Sequence, residues 1–566
     1  MKAKMHLRYL SVHPSIPILL FAIVFFTIIL LWIHPMYATW DDISILYDIK
    51  SGFAVSWMSH ILGGLLSSLY MNVSDMVPWY GIFLYISLGI ALFILLRSLY
   101  MSGIKRIEYF AIYALVIALY MNFIQKPGYT DIAIVAGVIG VLGFFNVLYQ
   151  NKVSWRNAIG YGLLLCLCFL WRIHALLFVA VFLFPILLIR IRKYWVYCIL
   201  FALPCVLLYT TDTMISRSQA TPEQKYFDDF TFYSTKLVDS SLYSFNKDNE
   251  RLLQNVGWTK NDLFMWDSWL YPDERKYNLE KMKQILNSSE LVKKPIPIFH
   301  PRVFYESTVY IVSSYWKWLI IMAFQFAVIV LYCSRKQIIF CLSLFLYVMV
   351  GGILLNATIR YPNRLAVPMF FGLLCLFTFV LFNSNSSDSI FHHQRWRKMR
   401  ILAVSAGVIF LIAGQASSTI RNNIANKYDE NIVNVTIKEI EHVKDSPVLL
   451  SQAGFWGILT YRSPLKEYDK EQFTIIPTAW PIFSPRFYAV LQEIGLRQGS
   501  EVFPYLIRSE NAFFICNEDM KESISTFIKE NYNIEIEFKI ITKFISPRVY
   551  TQDFGMYRIQ EKIKQE

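Results

Sequence analysis

The sequence predicts a polytopic α-helical membrane protein of about eleven transmembrane helices, followed by a C-terminal extracytoplasmic α/β or α+β domain. Three observations predict it. Apolar runs of membrane-spanning length recur through the first 420 residues, basic residues gather in alternate connections, and the composition changes after Ser418. Of the 566 residues 55% are apolar and only 17% are charged, against roughly 25% charged in soluble domains. A bilayer core of about 30 Å takes about 20 helical residues to cross.

The apolar runs lie near 14–36, 79–100, 107–124, 131–149, 157–171, 174–190, 195–212, 314–333, 338–357, 365–383 and 401–418. The first is too long for a signal-peptide core and ends in His34-Pro35-Met36-Tyr37 rather than at a small-residue cleavage site, so a retained helix is expected. The fifth run is short and meets the sixth at a polar knot, Trp171-Arg172-Ile173-His174. Counting each run as one crossing puts Lys2, Lys4 and Arg8, Lys105-Arg106, Lys152 with Arg156, Arg190 with Arg192-Lys193, Arg335-Lys336, and Arg395, Arg397, Lys398 and Arg400 on one side. The positive-inside rule makes that side the cytoplasm, with the N-terminus inside and the C-terminus outside. The net charge of +13 is thereby read as a topology signal, and a nucleic-acid partner is not expected.

Two domains are expected, a transmembrane domain over 1–420 and a soluble external one over 421–566. The large external loops are 37–78 and 213–313. The first opens Ala38-Thr39-Trp40-Asp41-Asp42, and its half-apolar stretch from Phe53 to Met71 suits one or two interfacial helices. The second is rich in Asp, Trp and Tyr, with a helical pattern over Glu274–Leu286. Shorter external turns are Gln125–Asp131 and Asn356–Arg364. In the last domain Val448-Leu449-Leu450 and Glu535–Ile541 read as strands, and Tyr488–Leu496 and Met520–Glu530 as helices. Seven of the eight cysteines fall in or beside apolar runs and only Cys516 outside, which suits packing residues rather than disulfides or a metal site.

Polar residues at the external membrane surface are the candidates for chemistry. Asp41 and Asp42 are adjacent carboxylates just past the first run, costly there unless used or solvated. One could take a proton from a hydroxyl as a general base, or the two could hold a divalent cation, magnesium or manganese. The alternative is a solvated first turn, with Thr39 or Asp41 capping a helix that runs through Tyr47. Arg172, Arg360 and Arg364 form a second set, since an arginine fork binds phosphate oxygens bidentately and stays charged. Headgroup contact or snorkelling would account for them equally. His174, beside Arg172, could orient an acceptor or a phosphate, or serve as a structural hydrogen-bonding residue. Trp79, Tyr80, Trp316 and Trp318 fit an interfacial belt. No phosphate-cradling glycine loop, zinc-ligand spacing, nucleophile elbow or nucleotide fold is present. An external site without nucleotide supply needs a lipid-carried donor.

This pattern resembles the glycosyltransferase C (GT-C) superfamily, polytopic enzymes that use polyprenyl-phosphate-linked sugars. The resemblance rests on Asp41-Asp42 after the first span, the Tyr129-Thr130-Asp131 turn opening the fourth, Arg172 between the fifth and sixth, Arg360-Tyr361-Pro362-Asn363-Arg364, and a final external domain. It covers roughly residues 1–420 through short motifs. It implies a GT-C-like membrane glycosyltransferase in the cytoplasmic membrane, moving a sugar to a cell-envelope glycan or lipid acceptor on the outer face. Asp41 or Asp42 is then the base, and Arg172, His174, Arg360 and Arg364 hold acceptor or donor phosphate. No Trp-Trp-Asp motif of the oligosaccharyltransferase type stands in the C-terminal domain, which argues against protein glycosylation. The alternatives are a polysaccharide polymerase or ligase, which would rely on the arginines more than on Asp41-Asp42, and a non-enzymatic transporter of lipid-linked glycans.

Overall fold

The computed structural model describes residues 15–53, 55, 57–102, 107–188, 191–238, 250–287, 300–358, 361–384, 397–468, 471–545 and 554–562. A helix occupies each apolar run. α1 is Ser15–Trp32. The first loop carries α2 (Trp40–Lys50) and α3 (His60–Asn72). Then come α4 (Trp79–Met101), α5 (Ile107–Gln125), α6 (Tyr129–Tyr149), α7 (Trp155–Trp171), α8 (Ile173–Leu188) and α9 (Ile191–Gln219). The segment after α9 holds α10 (Pro222–Val238), α11 (Glu250–Asn255), α12 (Lys260–Asp267) and α13 (Leu279–Asn287). The helical pattern at Glu274 begins only at Leu279, because Asp273 first closes a turn by accepting from the Arg275 and Tyr277 side of the chain: its Oδ1 takes the Arg275 N–H at 3.0 Å and its carbonyl the Tyr277 N–H at 2.9 Å. α14 (Pro301–Tyr332), α15 (Arg335–Thr358), α16 (Asn363–Phe382) and α17 (Arg397–Val443) follow.

Among the described residues, seven helices are long and apolar enough to cross a membrane: α4, α6, α9, α14, α15, α16 and α17. α1, α5, α7 and α8 are apolar but shorter. α6 and α16 lie at the centre, with 89% of the apolar window of each buried against other helices. Their apolar faces run all the way round, as a helix enclosed by other helices requires. Both begin at the same end of the bundle as the polar turns, so central placement carries Tyr129-Thr130-Asp131 and Arg364 to one level.

α17 has 47 residues, about 70 Å of helix. It runs through the composition break at Ser418 without interruption. Its polar half seals the end of α1: Asn423 Nδ2 donates to the Trp32 carbonyl at 3.2 Å, and Asn426 Nδ2 to that of His34 at 2.9 Å. The Trp32 carbonyl is one that a helix end leaves unpaired.

Beyond α17 stands a five-stranded sheet, ordered β2-β1-β3-β5-β4. β1 (Val448–Ser451) pairs parallel with β2 (Thr474–Ile476) and with β3 (Ala512–Cys516). β5 (Phe554–Glu561) is antiparallel to β3 and to β4 (Ile536–Phe544). Side chains alternate across the sheet. Leu449, Phe513 and Ile515 join the apolar core of the membrane-type helices. Val448, Leu450, Phe514 and Cys516 face a second core with Phe230, Trp258, Trp266, Tyr271 and Tyr277 from the 222–287 segment. The described parts of that segment, 222–238 and 250–287, therefore pack as one layer of the sheet's own core.

Polar contacts pin α2 to the sheet region. Arg486 Nη1 donates to Asp48 Oδ1 at 2.9 Å, and Tyr47 Oη to Glu471 Oε1 at 2.7 Å, while Lys50 pairs with Glu467. The chain entering α2 is held from both sides: the Tyr37 N–H donates to the Thr460 carbonyl at 2.9 Å and the Ala38 N–H to that of Pro127 at 3.2 Å.

Candidate functional site

The site is built where the N-termini of α2, α6 and α16 meet the break between α7 and α8. Thr39 is the N-cap of α2 in extended conformation, so the first turn presents Asp41 and Asp42. Successive helical residues point about 100° apart, and the two carboxylates take different partners.

Asp42 is sealed, with 0% of its surface exposed. Its Oδ2 accepts from the Thr39 N–H at 3.1 Å and the Thr39 hydroxyl at 2.8 Å. Its Oδ1 accepts from Tyr80 Oη at 2.8 Å and from the Tyr129 N–H at 2.9 Å. Four donors thus converge on it, and one of them is the opening amide of α6. Asp42 locks the first loop onto α4 and α6.

Burial pushes the Asp42 carboxyl up from 3.8 to about 6, against the downward pull of its donors from Tyr129, Thr39 and Tyr80, with the Asp41 charge adding to the rise. The folded chain therefore holds this proton more tightly than the unfolded one. Between about 4 and about 6 stability falls as pH rises, then levels off above that window. The expected result is a wild-type melting temperature that declines across this range, on the order of 3 kcal/mol in stability. The decline should be smaller by that amount in Asp42→Asn. Thermal unfolding of both proteins in detergent from pH 4 to 8 measures it, and parallel curves would remove Asp42 as the titrating group.

Asp41 is 6% exposed and pairs instead with Arg364 Nη1 from the first turn of α16. The Arg364 side chain is 22% exposed, so a ligand can reach it. Arg172 ends α7: its backbone is extended, its N–H closes the helix on the Cys168 carbonyl at 3.0 Å, and α8 starts directly after it. Its Nη1 donates to Tyr129 Oη at 2.8 Å and Thr130 Oγ1 at 2.5 Å, and its guanidinium lies 5.2 Å from the Tyr129 ring centre. Tyr129 sits within electrostatic reach of Arg172, Asp41 and Arg364 together. Among the described residues, Nε and Nη2 of both arginines make no hydrogen bond.

Asp131, in the first turn of α6 and 9% exposed, is the third carboxylate here. A Cβ at Gly128 would lie 2.7 Å from Asp131 Oδ2 and 3.5 Å from Asp42 Oδ2, so the turn has room only for glycine. The sequence singles out the Tyr129-Thr130-Asp131 turn but gives it no role of its own. The available signal was an acidic residue opening an otherwise apolar span. Tyr80, whose hydroxyl holds Asp42, looked like an interfacial aromatic.

His174 is exposed and makes no hydrogen bond among the described residues, so only the charge of the neighbouring Arg172 reaches it. Arg360 lies outside the described residues, while Tyr361 beside it is buried and its carbonyl accepts from Tyr315 Oη at 2.7 Å. Among the described residues no group of three or more His, Cys, Asp or Glu side chains is placed to hold a metal. Asp42 has both oxygens engaged and Asp41 faces a guanidinium, so this pair does not fit a divalent cation. No protein-family model, curated protein or solved structure matches the chain.

Proposed function

We propose that this protein is a membrane glycosyltransferase that moves a sugar from a polyprenyl-phosphate carrier to a glycan or lipid acceptor on the outer face of the cytoplasmic membrane. The observation that carries the reading is a buried carboxylate, Asp41, paired with Arg364, and a second arginine, Arg172, held by Tyr129 and Thr130 at the same end of the helical bundle, both arginines keeping unused donors. In this reading α1, α4–α9 and α14–α17 supply eleven crossings of a GT-C-like fold, and the sheet region is extracytoplasmic.

Arg172 and Arg364 take the donor phosphate. Its arrival draws the Arg364 guanidinium toward the phosphate oxygens and releases Asp41 to act as base. The acceptor hydroxyl loses its proton to Asp41, its oxygen forms the new bond to the anomeric carbon, and the bond from that carbon to the phosphate oxygen breaks. The electron pair leaves with polyprenyl phosphate, whose charge the arginines neutralise. Direct displacement by one base inverts the anomeric centre. Tyr129 and Thr130 aim Arg172, and Asp42 positions α2.

Two tests bear on this. A polyprenyl phosphate should bind the protein in nanodiscs and compete with other anionic lipids, and failure to compete would leave only headgroup contact. Cysteine reporters at Glu274 and Lys539 should react with an impermeant reagent from outside, while those at Lys152 and Arg335 should stay protected. Labelling of Arg335 from outside would turn the site to the cytoplasmic face.

A further inference from the structure

Four tryptophans form a row in the seam between the two apolar cores. Trp40 opens α2, Trp57 lies between α2 and α3, Trp269 follows α12 and Trp480 follows β2. Ring centres are 6.2 Å apart for Trp40 and Trp269, 4.5 Å for Trp269 and Trp480, and 5.5 Å for Trp480 and Trp57. Trp40 and Trp57 lean on the core of the membrane-type helices, and Trp269 on the core of the sheet.

Two features set this row apart from packing. Each ring is half-buried, and none of the four indole N–H groups has a hydrogen-bond partner among the described residues or is sealed from solvent. The buried Trp171 and Trp258, by contrast, donate at 2.8 Å to Ser87 and at 2.7 Å to the Lys276 carbonyl. The row is also held by strained backbone. Trp269 and Ala479 adopt left-handed conformations, φ +58° and +61°, that side-chain-bearing residues avoid, and the Ala479 N–H donates to the Trp269 carbonyl at 3.1 Å. Such conformations persist where surrounding structure over-determines them, and they gather at ligand-binding places.

Indoles of a membrane belt stand singly and outward, as Trp32, Trp155, Trp195 and Trp316 do at 47–59% exposure. The four in the seam instead pack against one another across three parts of the chain, Trp40–Trp269 and Trp57–Trp480 edge to face and Trp269–Trp480 tilted, with donors not sealed from solvent. We propose that this row is an acceptor subsite that takes a glycan chain. Pyranose C–H faces lie on the indole rings, and sugar hydroxyls accept from the indole N–H groups, using both the apolar body and the polar handle of tryptophan. Trp40 directly precedes Asp41, so the sugar at that end lies beside the base. The subsite rests on the transferase reading above.

The test uses the full chain in nanodiscs on immobilised oligosaccharides of four to six sugars, built from glucose, galactose, rhamnose or N-acetylglucosamine, with polyprenyl phosphate binding measured in parallel. Wild type should retain at least one glycan. Trp480→Ala and Trp57→Ala should each weaken retention tenfold or more, and Trp480→Phe less, with polyprenyl phosphate binding unchanged in all three. Two separate elements are varied so that one misfolded variant does not decide the result. No retained glycan, or equal retention by both alanine variants, overturns the subsite. So does quenching of wild-type fluorescence by brominated lipid that falls in Trp480→Phe, which would put the row in lipid. Phosphate binding without glycan retention ends the subsite and leaves the transferase reading standing. Glycan retention without phosphate binding ends the transferase reading, and with it the row's role as acceptor subsite.

Discussion

Asp41→Asn is expected to lower sugar transfer from a polyprenyl-phosphate donor by about two to four orders of magnitude, the usual contribution of a positioned general base. The protein should remain folded in the membrane and still bind donor. Asparagine keeps the size of the side chain and an oxygen for Arg364, but it cannot take a proton. Asp42→Asn is a different experiment. It puts an amide where the Thr39 N–H and hydroxyl now donate, and an unmet buried donor costs about 1–3 kcal/mol, so it should show first in thermal stability. Single-turnover transfer of a radiolabelled sugar in proteoliposomes, with unfolding followed alongside, separates the two. Asp131→Asn is the third arm, because that carboxylate crowds the same turn. A full rate in Asp41→Asn with a loss in Asp131→Asn would move the base to α6. A full rate in both would favour a polymerase or ligase working through the arginines.

Arg172→Ala is expected to weaken binding of a polyprenyl phosphate by about 2–5 kcal/mol, the scale for losing one partner of a desolvated charge pair. Arg172→Lys should also weaken it, though less. The reason is geometric. One arm of the guanidinium is committed to Tyr129 and Thr130, and the rest of the fork stays available. A lysine ammonium that replaces the committed arm keeps its charge and one N–H donor but has no planar fork to present to a phosphate. Arg364→Lys should weaken binding too, since a single ammonium must serve both Asp41 and the donor. Affinity in nanodiscs, checked for expression and unfolding temperature, is the measurement. Lysine substituting freely at both positions would reduce these residues to headgroup contacts.

The helices were legible because crossing a bilayer is a property of consecutive residues: a run of about 20 apolar side chains satisfies its own backbone as a helix and nothing else. Hence a helix stands at every apolar run, and among the described residues seven of these meet the length and composition of a span. The strands β1 and β4 were legible from apolar, β-branched runs at Val448 and Glu535. The 222–287 segment was legible only in its helical pattern over Glu274–Leu286, which forms α13 from Leu279; the rest was not, because its Trp and Tyr residues follow no helical or strand period. They are buried by the sheet, a partner more than 160 residues away in the chain.

The site divides in the same way. The sequence by itself determined which groups were costly at the membrane surface: two adjacent aspartates, the arginine in the knot between two apolar runs, and the arginine opening α16. Tertiary structure alone decided how they are used. Asp41 and Asp42 are neighbours in the chain, yet one meets Arg364, 323 residues on, and the other is fastened by Thr39, Tyr80 and Tyr129. Hydropathy is additive along the chain and can be read there. The partner of a buried charge depends on which helix ends are brought to one level, and that is settled when the two central helices α6 and α16 are enclosed by the rest.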